Sequence, residues 1–270
     1  MKKQLQLGLV VEGNVTSSAV LRIPSLAGEL GPIKSTGLQV ARRISNFLRA
    51  GYAVSEYQEL EAAKLLLLRV PDVAVSRVIE ELCAVERLLE KVSVVLCESW
   101  LPTETLAPLK ACGASIASLL EAPSAGDKCF VLEGEIPAVR QMRRLLERGE
   151  ARTIELRPGT KPLYFAADLL INALPVPLFL AAKQALRDGG ISGNQLSTLL
   201  ADMAGEMVNS FLRGARVHWG GPLKECSAET ADGYLKRLGV DHSQLESLLR
   251  DQLKFASRRL GKHAKGQAAS

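Results

Sequence analysis

The sequence predicts an α/β domain with a doubly wound parallel sheet, followed by an all-α helical domain. The first observation is the apolar run of residues 65–70, interrupted only by Arg69, which is typical of a strand buried on both faces. The second is that short apolar strands alternate with amphipathic helices as far as Leu156. The third is that the residues after Lys161 have helical periodicity alone.

The predicted strands are short and are separated by turn residues or helices. We expect them at residues 5–11, 32–35, 52–54, 65–70, 92–97, 114–119, 129–133 and 152–156. The connecting helices are expected over residues 19–27, 38–50, 73–83, 106–111 and 137–148. Pro71 and Asp72 end the central strand, because proline cannot donate to a strand ladder and aspartate can cap the next helix.

The helical part is predicted to contain four longer helices. They cover residues 163–187, 194–212, 228–238 and 243–260. The first is apolar around most of its circumference, as the central helix of a bundle is, and Pro175 and Pro177 must kink or split it. The expected domains are residues 1–157 for the sheet and 158–260 for the helices, with 261–270 as a disordered basic tail.

Composition excludes several classes of function. The net charge is +5 and only 4% of the residues are aromatic, so a nucleic-acid surface with stacking side chains is not expected. The five cysteines are scattered and the three histidines lie far apart, which predicts reduced thiols and no metal site. The apolar run near the N-terminus is too short for a signal peptide, and no membrane span is expected. We therefore expect a cytoplasmic protein.

The turn after the first strand is the expected binding site for a dinucleotide. In a Rossmann-like domain this turn reads G-x-G-x-x-G, which brings backbone N–H groups to the pyrophosphate. Here residues 11–16 read V-E-G-N-V-T, so Glu12 adds negative charge and only the middle glycine is present. No acid follows the second strand to hold a ribose. The cofactor-binding residues that we predict are Gly13, Asn14, Val15, Thr16, Ser35, Thr36, Val70, Pro71 and Asp72.

Several local strings, and their order along the chain, resemble a known family. These strings are residues 65–72 (LLLLRVPD), 106–114, 130–134, 161–167 and 221–223. The chain resembles two-domain proteins that join a Rossmann-like domain to a helical domain of unknown function, relatives of pyrroline-5-carboxylate reductase in the 6-phosphogluconate dehydrogenase-like superfamily. The resemblance implies an oxidoreductase that uses NADP or NAD. It also implies a homodimer packed through the helical domains, which the exposed surface of a nearly all-apolar first helix favours independently.

The chain departs from this family at three histidine positions. In their place it has residues 96–99 (LCES), Leu120-Glu121 and Tyr164-Phe165, and the expected asparagine is displaced to Asn172. Histidine is the side chain best suited to donate a proton at neutral pH, so its absence argues against the reductase chemistry. Two hypotheses stay open: an NAD(P)-dependent oxidoreductase, or a non-catalytic relative that binds another ligand or a partner and no cofactor.

The candidate catalytic residues lie at the start of the helical part, in the expected cleft between the domains. Lys161, Tyr164 and Asp168 are spaced as i, i+3 and i+7, so one helix face would present all three to a small-molecule ligand. For Lys161 the alternative is a solvated helix start. For Asp168 the alternative is a buried carboxylate that has a structural partner.

Overall fold

The structure is a computed structural model that describes residues 7–85, 87–124, 128–213 and 221–260. Within these residues, eight strands form one sheet with the order β3-β2-β1-β4-β5-β6-β7-β8, which confirms the predicted doubly wound sheet. The strands are β1 (Leu7–Val11), β2 (Leu30–Lys34), β3 (Tyr52–Val54), β4 (Leu65–Arg69), β5 (Ser93–Cys97), β6 (Ser115–Ala122), β7 (Cys129–Gly134) and β8 (Arg152–Glu155). The start of the first predicted strand, at residues 5–6, and the tail at 261–270 lie outside the described residues.

Neighbouring strands are parallel except for β6 and β7, which are antiparallel. A parallel pair needs a crossover of about a dozen residues or more, and only residues 123–128 join these two strands. The sheet is therefore mostly parallel, with one antiparallel pair where the sequence predicts no helix between the strands. The difference does not affect the arrangement of β1, β2, β4 and β5, which are all parallel.

The central strand β4 is buried on both faces, as its leucines predict. Leu65 and Leu67 belong to one apolar cluster, and Leu66 and Leu68 belong to the cluster on the opposite face. Each of the four is at most 1% exposed. A fully buried leucine stabilises the folded state by about 2 kcal/mol, so this strand is a major part of the core.

The connection between β1 and β2 differs from its prediction. The helices of the first part of the chain are α1 (Pro24–Ala27), α2 (Leu38–Leu48), α3 (Val75–Cys83), α4 (Ala107–Ala111), α5 (Ile136–Arg148) and α6 (Lys161–Asp168). The helix expected over residues 19–27 is a short 3-10 turn, Val20–Arg22, followed by the single turn α1. Pro24 has no N–H and stands at the first position of α1, so a helix continuous through it is excluded.

The chain divides into two compact units, Met1–Leu169 and Leu170–Ser270, and α6 belongs to the first. The assignment of residues 158–260 to a helical substrate and dimerisation domain stays a prediction. The helices of the second unit are α7 (Val176–Asp188), α8 (Gly193–Leu212), α9 (Pro222–Glu225), α10 (Ala228–Asp241) and α11 (Ser243–Leu260). A π-helical turn, Leu169–Ala173, separates α6 from α7, and α7 begins directly after Pro175. The predicted split at the two prolines is confirmed.

Helices α7 and α8 expose many large apolar side chains. Phe179 is 40% exposed, Met203 56%, Met207 59% and Phe211 66%. Among the described residues, the helical stretch Lys161–Asp188 alone is long and apolar enough to cross a membrane, judged by length and composition only. The apolar faces of α7 and α8 are therefore not covered within the described residues.

Candidate functional site

The predicted nucleotide turn lies at the carboxyl edge of the sheet, between β1 and β4. Val11 pairs with Arg69, and the Glu12 N–H donates to the carbonyl of Arg69 at 3.0 Å. Gly13 has a φ of +77°, and a Cβ atom at this position would lie 3.3 Å from Cγ of Pro71. Two of the predicted cofactor-binding residues, Gly13 and Pro71, are thus brought together at the edge where open α/β sheets bind ligands.

The predicted cofactor-binding residues differ in how exposed they are to solvent. The exposed members of the set are Gly13, Asn14, Thr16, Thr36, Pro71 and Asp72, whereas Val15 is partly buried and Ser35 and Val70 are buried. Oδ1 of Asn14 accepts hydrogen bonds from the N–H and the hydroxyl of Thr16, at 2.9 and 2.7 Å, which fixes the turn. The Ser35 hydroxyl donates to the carbonyl of Val11 at 2.6 Å, so it ties the ends of β1 and β2 together.

Glu12, the acid in the turn, is paired inside the protein. It is 8% exposed, and both of its carboxylate oxygens accept hydrogen bonds from Nη2 of Arg77 on α3 at 2.7 Å. Arg77 also donates to Glu81, four residues later on the same helix. The sequence analysis missed Arg77, although its i, i+4 spacing from Glu81 marks a charged helix face. The negative charge of Glu12 is therefore neutralised by a neighbouring guanidinium.

A second carboxylate, Glu98, reaches across the same edge from the end of β5. Its Oε1 accepts hydrogen bonds from the Ser18 hydroxyl at 3.0 Å and the Val20 N–H at 2.9 Å. Its Oε2 accepts one from Nε of Arg69 at 2.6 Å. Glu98 has a φ of +57°, which is unfavourable for a residue with a side chain. Sequence reasoning also missed this residue, because its partners are distant in the chain.

Lys161, one of the predicted catalytic residues, is buried in the first unit. It is 2% exposed, so its interpretation as a solvated helix start is wrong. Its Nζ donates to the carbonyls of Ser99 at 2.8 Å and Leu101 at 2.6 Å, and its backbone N–H donates to Oε1 of Glu133 at 2.8 Å. Burial lowers the pKa of Lys161 to about 8, although the charges of Glu133 and Asp72 act in the opposite direction.

Glu133 is the centre of a buried polar cluster behind Lys161. This carboxylate is 2% exposed, and its second oxygen accepts a hydrogen bond from the hydroxyl of Thr103. The Thr103 hydroxyl also lies 2.7 Å from that of Ser118 on β6. The cluster therefore joins β6, β7 and the start of α6, and it fixes the direction in which α6 leaves the sheet.

Tyr164 and Asp168 lie on the same face of α6 as Lys161, as their spacing predicts. Both are half-buried, whereas the other residues of α6 apart from Lys161 are exposed. The ring of Trp100 is stacked on that of Tyr164, with centroids 6.0 Å apart. Burial raises the pKa of the Tyr164 hydroxyl, and the charge of Asp168 raises it further. The catalytic roles of Lys161, Tyr164 and Asp168 stay predictions.

Comparison with solved structures identifies the fold. No protein-family model matches the sequence, and the comparison with curated proteins also gives no match. The chain is similar to a protein of Thermotoga maritima, with a TM-score of 0.63 and 18% identity over 94% of this chain and 98% of that one. It is also similar to an imine reductase from Bacillus cereus, with a TM-score of 0.66 and 14% identity over 95% and 94% of the two chains. A third similar structure is a reductive aminase from Aspergillus terreus in complex with NADPH and ethyl levulinate. Its TM-score is 0.66, with 14% identity over 96% of this chain and 95% of that one.

The chain shares the fold of these neighbours. The predicted architecture of a Rossmann-like domain followed by a helical domain is confirmed by these neighbours. At these identities the likeness extends to the fold alone. The relation to pyrroline-5-carboxylate reductase therefore stays a prediction.

Side chains that donate a proton at neutral pH are scarce in the first part of the chain. The sequence has no histidine before His218, which lies outside the described residues together with His263. His242 is in the second unit, with Nδ1 3.9 Å from Oδ2 of Asp188. Among the described residues, no group of three His, Cys, Asp or Glu is placed to hold a metal ion. Tyr164 on α6 and Tyr57 beside Lys34 are both half-buried, but the Tyr57 hydroxyl donates to Glu81 at 2.7 Å.

Proposed function

We propose that this chain is an NAD(P)-binding protein of the oxidoreductase type, with the dinucleotide lying across the carboxyl edge of β1, β2 and β4. The observation that carries the proposal is the strand order, which places the Gly13 turn where the winding of the sheet reverses. Gly13 and Asn14 are exposed, so the backbone of the turn is open to a ligand. The fold likeness to a reductive aminase in complex with NADPH supports this assignment.

The end of β2 favours NADPH over NADH. An NAD site commonly has an acid here to bind the ribose 2′-hydroxyl, and this chain has Lys34, Ser35 and Thr36 instead. Nζ of Lys34 lies 4.9 Å from the centre of the Tyr57 ring and 2.7 Å from the carbonyl of Ser35, so its charge is held beside the strand end. A cation in this place suits the 2′-phosphate that distinguishes NADPH.

Fluorescence titration with NADPH and NADH tests the cofactor. We expect micromolar binding of NADPH and about tenfold weaker binding of NADH, which corresponds to one favourable charge contact at moderate screening. Lys34→Gln should reduce the difference between the two cofactors while leaving NADH binding unchanged. Absence of NADPH binding at millimolar concentration would contradict the proposed function.

Tyr164 is the proposed proton donor to a small-molecule substrate. A bound NADPH supplies the hydride for such a reduction. The Tyr164 hydroxyl is protonated at neutral pH, as a donor requires, and its raised pKa makes it a weaker acid than a solvated tyrosine. Asp168 acts on Tyr164 through its charge. The ammonium group of Lys161 is held by two carbonyl groups, so its proposed role is to position α6.

A non-catalytic ligand- or partner-binding protein is the second candidate. The observation that favours it is the pair of carboxylates, Glu12 and Glu98, at the edge where a pyrophosphate would lie. The missing histidines favour it as well. Absence of NADPH binding by the folded protein at millimolar concentration would support this candidate over the enzyme.

The exposed apolar helices favour a homodimer formed through the helical domain. The cytoplasm is the proposed location of the protein. Phe179, Met203 and Phe211 are too exposed for a stable monomer surface, and a twofold partner would bury them. Light scattering at micromolar concentration should give twice the chain mass of 29.1 kDa. A mass of one chain would contradict the dimer, and recovery of the protein only in a membrane fraction would contradict the cytoplasmic location.

A further inference from the structure

The Glu98 side chain ties together two segments on either side of the candidate nucleotide crevice. Arg69 is the last residue of β4, beside β1, whereas Ser18 and Val20 lie in the connection that follows the Gly13 turn. The carboxylate of Glu98 accepts hydrogen bonds from all three, so it lies over the carboxyl ends of β4 and β5. Ser18 and Val20 are fully buried, so Arg69, whose side chain is 19% exposed, is the donor of this set that a nucleotide at this edge can reach.

The three donors around Glu98 are also those that recognise phosphate. A guanidinium, a hydroxyl and a backbone N–H form charge-assisted hydrogen bonds with phosphate oxygens as readily as with a carboxylate. The side chain of Glu98 is 13% exposed and that of Arg69 is 19% exposed, so the pair is shielded from screening by solvent. Glu98 is held at a φ of +57°, and such a conformation persists only where surrounding contacts fix it.

We propose that Glu98 is an internal anion that competes with the phosphate groups of a nucleotide for Arg69 and for the segment after the Gly13 turn. Its carboxylate lowers nucleotide affinity in two ways: it occupies the donors, and it repels a second anion. This inference rests on the proposed function, because it concerns the same edge of the sheet. It adds a residue that sets how tightly the nucleotide binds.

Glu98→Gln tests the inference, because it removes the charge and keeps the size of the side chain. We expect the Kd for NADPH to fall about tenfold, since one unfavourable charge is lost at short range. Glu155→Gln on β8 is the matched control, because Glu155 is an exposed acid at the far edge of the same sheet and should leave the Kd unchanged. Glu98→Gly is the second variant. Glycine adopts a positive φ without strain, so this chain should fold even if the glutamine variant does not.

Arg69→Met identifies the group that the carboxylate releases. Added to Glu98→Gln, it should abolish most of the gain in NADPH affinity, because the freed guanidinium is then absent. Equal or weaker NADPH binding by Glu98→Gln and Glu98→Gly, with clear binding by the wild type, would overturn the inference and leave the proposed function intact. Binding of NADPH by the Glu98 variants but not by the wild type would support the inference. Absence of binding by all of them at millimolar NADPH would overturn both.

Discussion

Replacing Lys161 with methionine is expected to lower the free energy of unfolding by about 3 kcal/mol at neutral pH. Methionine fills most of the same volume but cannot donate a hydrogen bond. The carbonyls of Ser99 and Leu101 would then be buried without their partner, and the charge of Glu133 would lose a nearby cation. Urea unfolding followed by circular dichroism measures the change.

An exposed lysine provides the control for this prediction. Lys110 pairs with Glu135 at 2.7 Å, but its side chain is 60% exposed, so Lys110→Met should change the free energy of unfolding by less than about 1 kcal/mol. Equal losses from the two substitutions would contradict the proposed structural role of Lys161.

The pH dependence of stability gives an independent signature of the buried lysine. Burial lowers the pKa of Lys161 from 10.5 to about 8, so between these values the unfolded chain holds a proton that the folded chain has released. Stability should therefore rise with pH across this window, and it should be insensitive to this group below pH 8. The rise should be absent in Lys161→Met. Subtracting the variant's stability profile from that of the wild type should therefore isolate it. A constant difference from pH 7 to pH 10 would show that Lys161 titrates normally.

The sequence predicts the regular strands and helices of this fold better than the two places where the regular pattern breaks. The alternation of apolar residues places the core strands, because burial on one or both faces dictates it. The two exceptions lie in the connections between strands. The antiparallel pair β6 and β7 follows from a link too short for a crossover, and the broken helix after β1 follows from Pro24 at a position where a helix would need its N–H.

The candidate site is less predictable, because its main contacts join distant parts of the chain. Gly13 and Pro71 could be placed together from the rule that strand ends meet at one edge. The partners of Glu12 and Glu98 could not, since Arg77 is 65 residues from Glu12 and Val20 is 78 residues from Glu98. Spacing alone correctly predicts that Lys161, Tyr164 and Asp168 share a helix face. It does not predict that this face is held against the sheet domain, which depends on Glu133 and the carbonyls of the loop after β5.

Replacing Gly13 with aspartate should weaken NADPH binding by about a hundredfold or more. A new carboxylate at the turn would lie within a few ångströms of the expected pyrophosphate, where each like-charge contact is unfavourable by several kcal/mol. The left-handed backbone of Gly13 adds strain of about 1 kcal/mol for any side chain, and its Cβ would contact Pro71. Isothermal titration with NADPH and thermal unfolding together measure both effects.

Gly13→Ala separates strain from charge in this experiment. Alanine introduces the same Cβ beside Pro71 and the same unfavourable φ of +77°, but it adds no carboxylate. We therefore expect the two variants to lose similar stability, while alanine weakens NADPH binding far less than aspartate does. If the aspartate variant binds NADPH as tightly as the alanine variant, no phosphate approaches this turn. The nucleotide must then lie elsewhere on the molecule. If both bind as tightly as the wild type, the Gly13 turn takes no part in binding, whatever the position of the nucleotide.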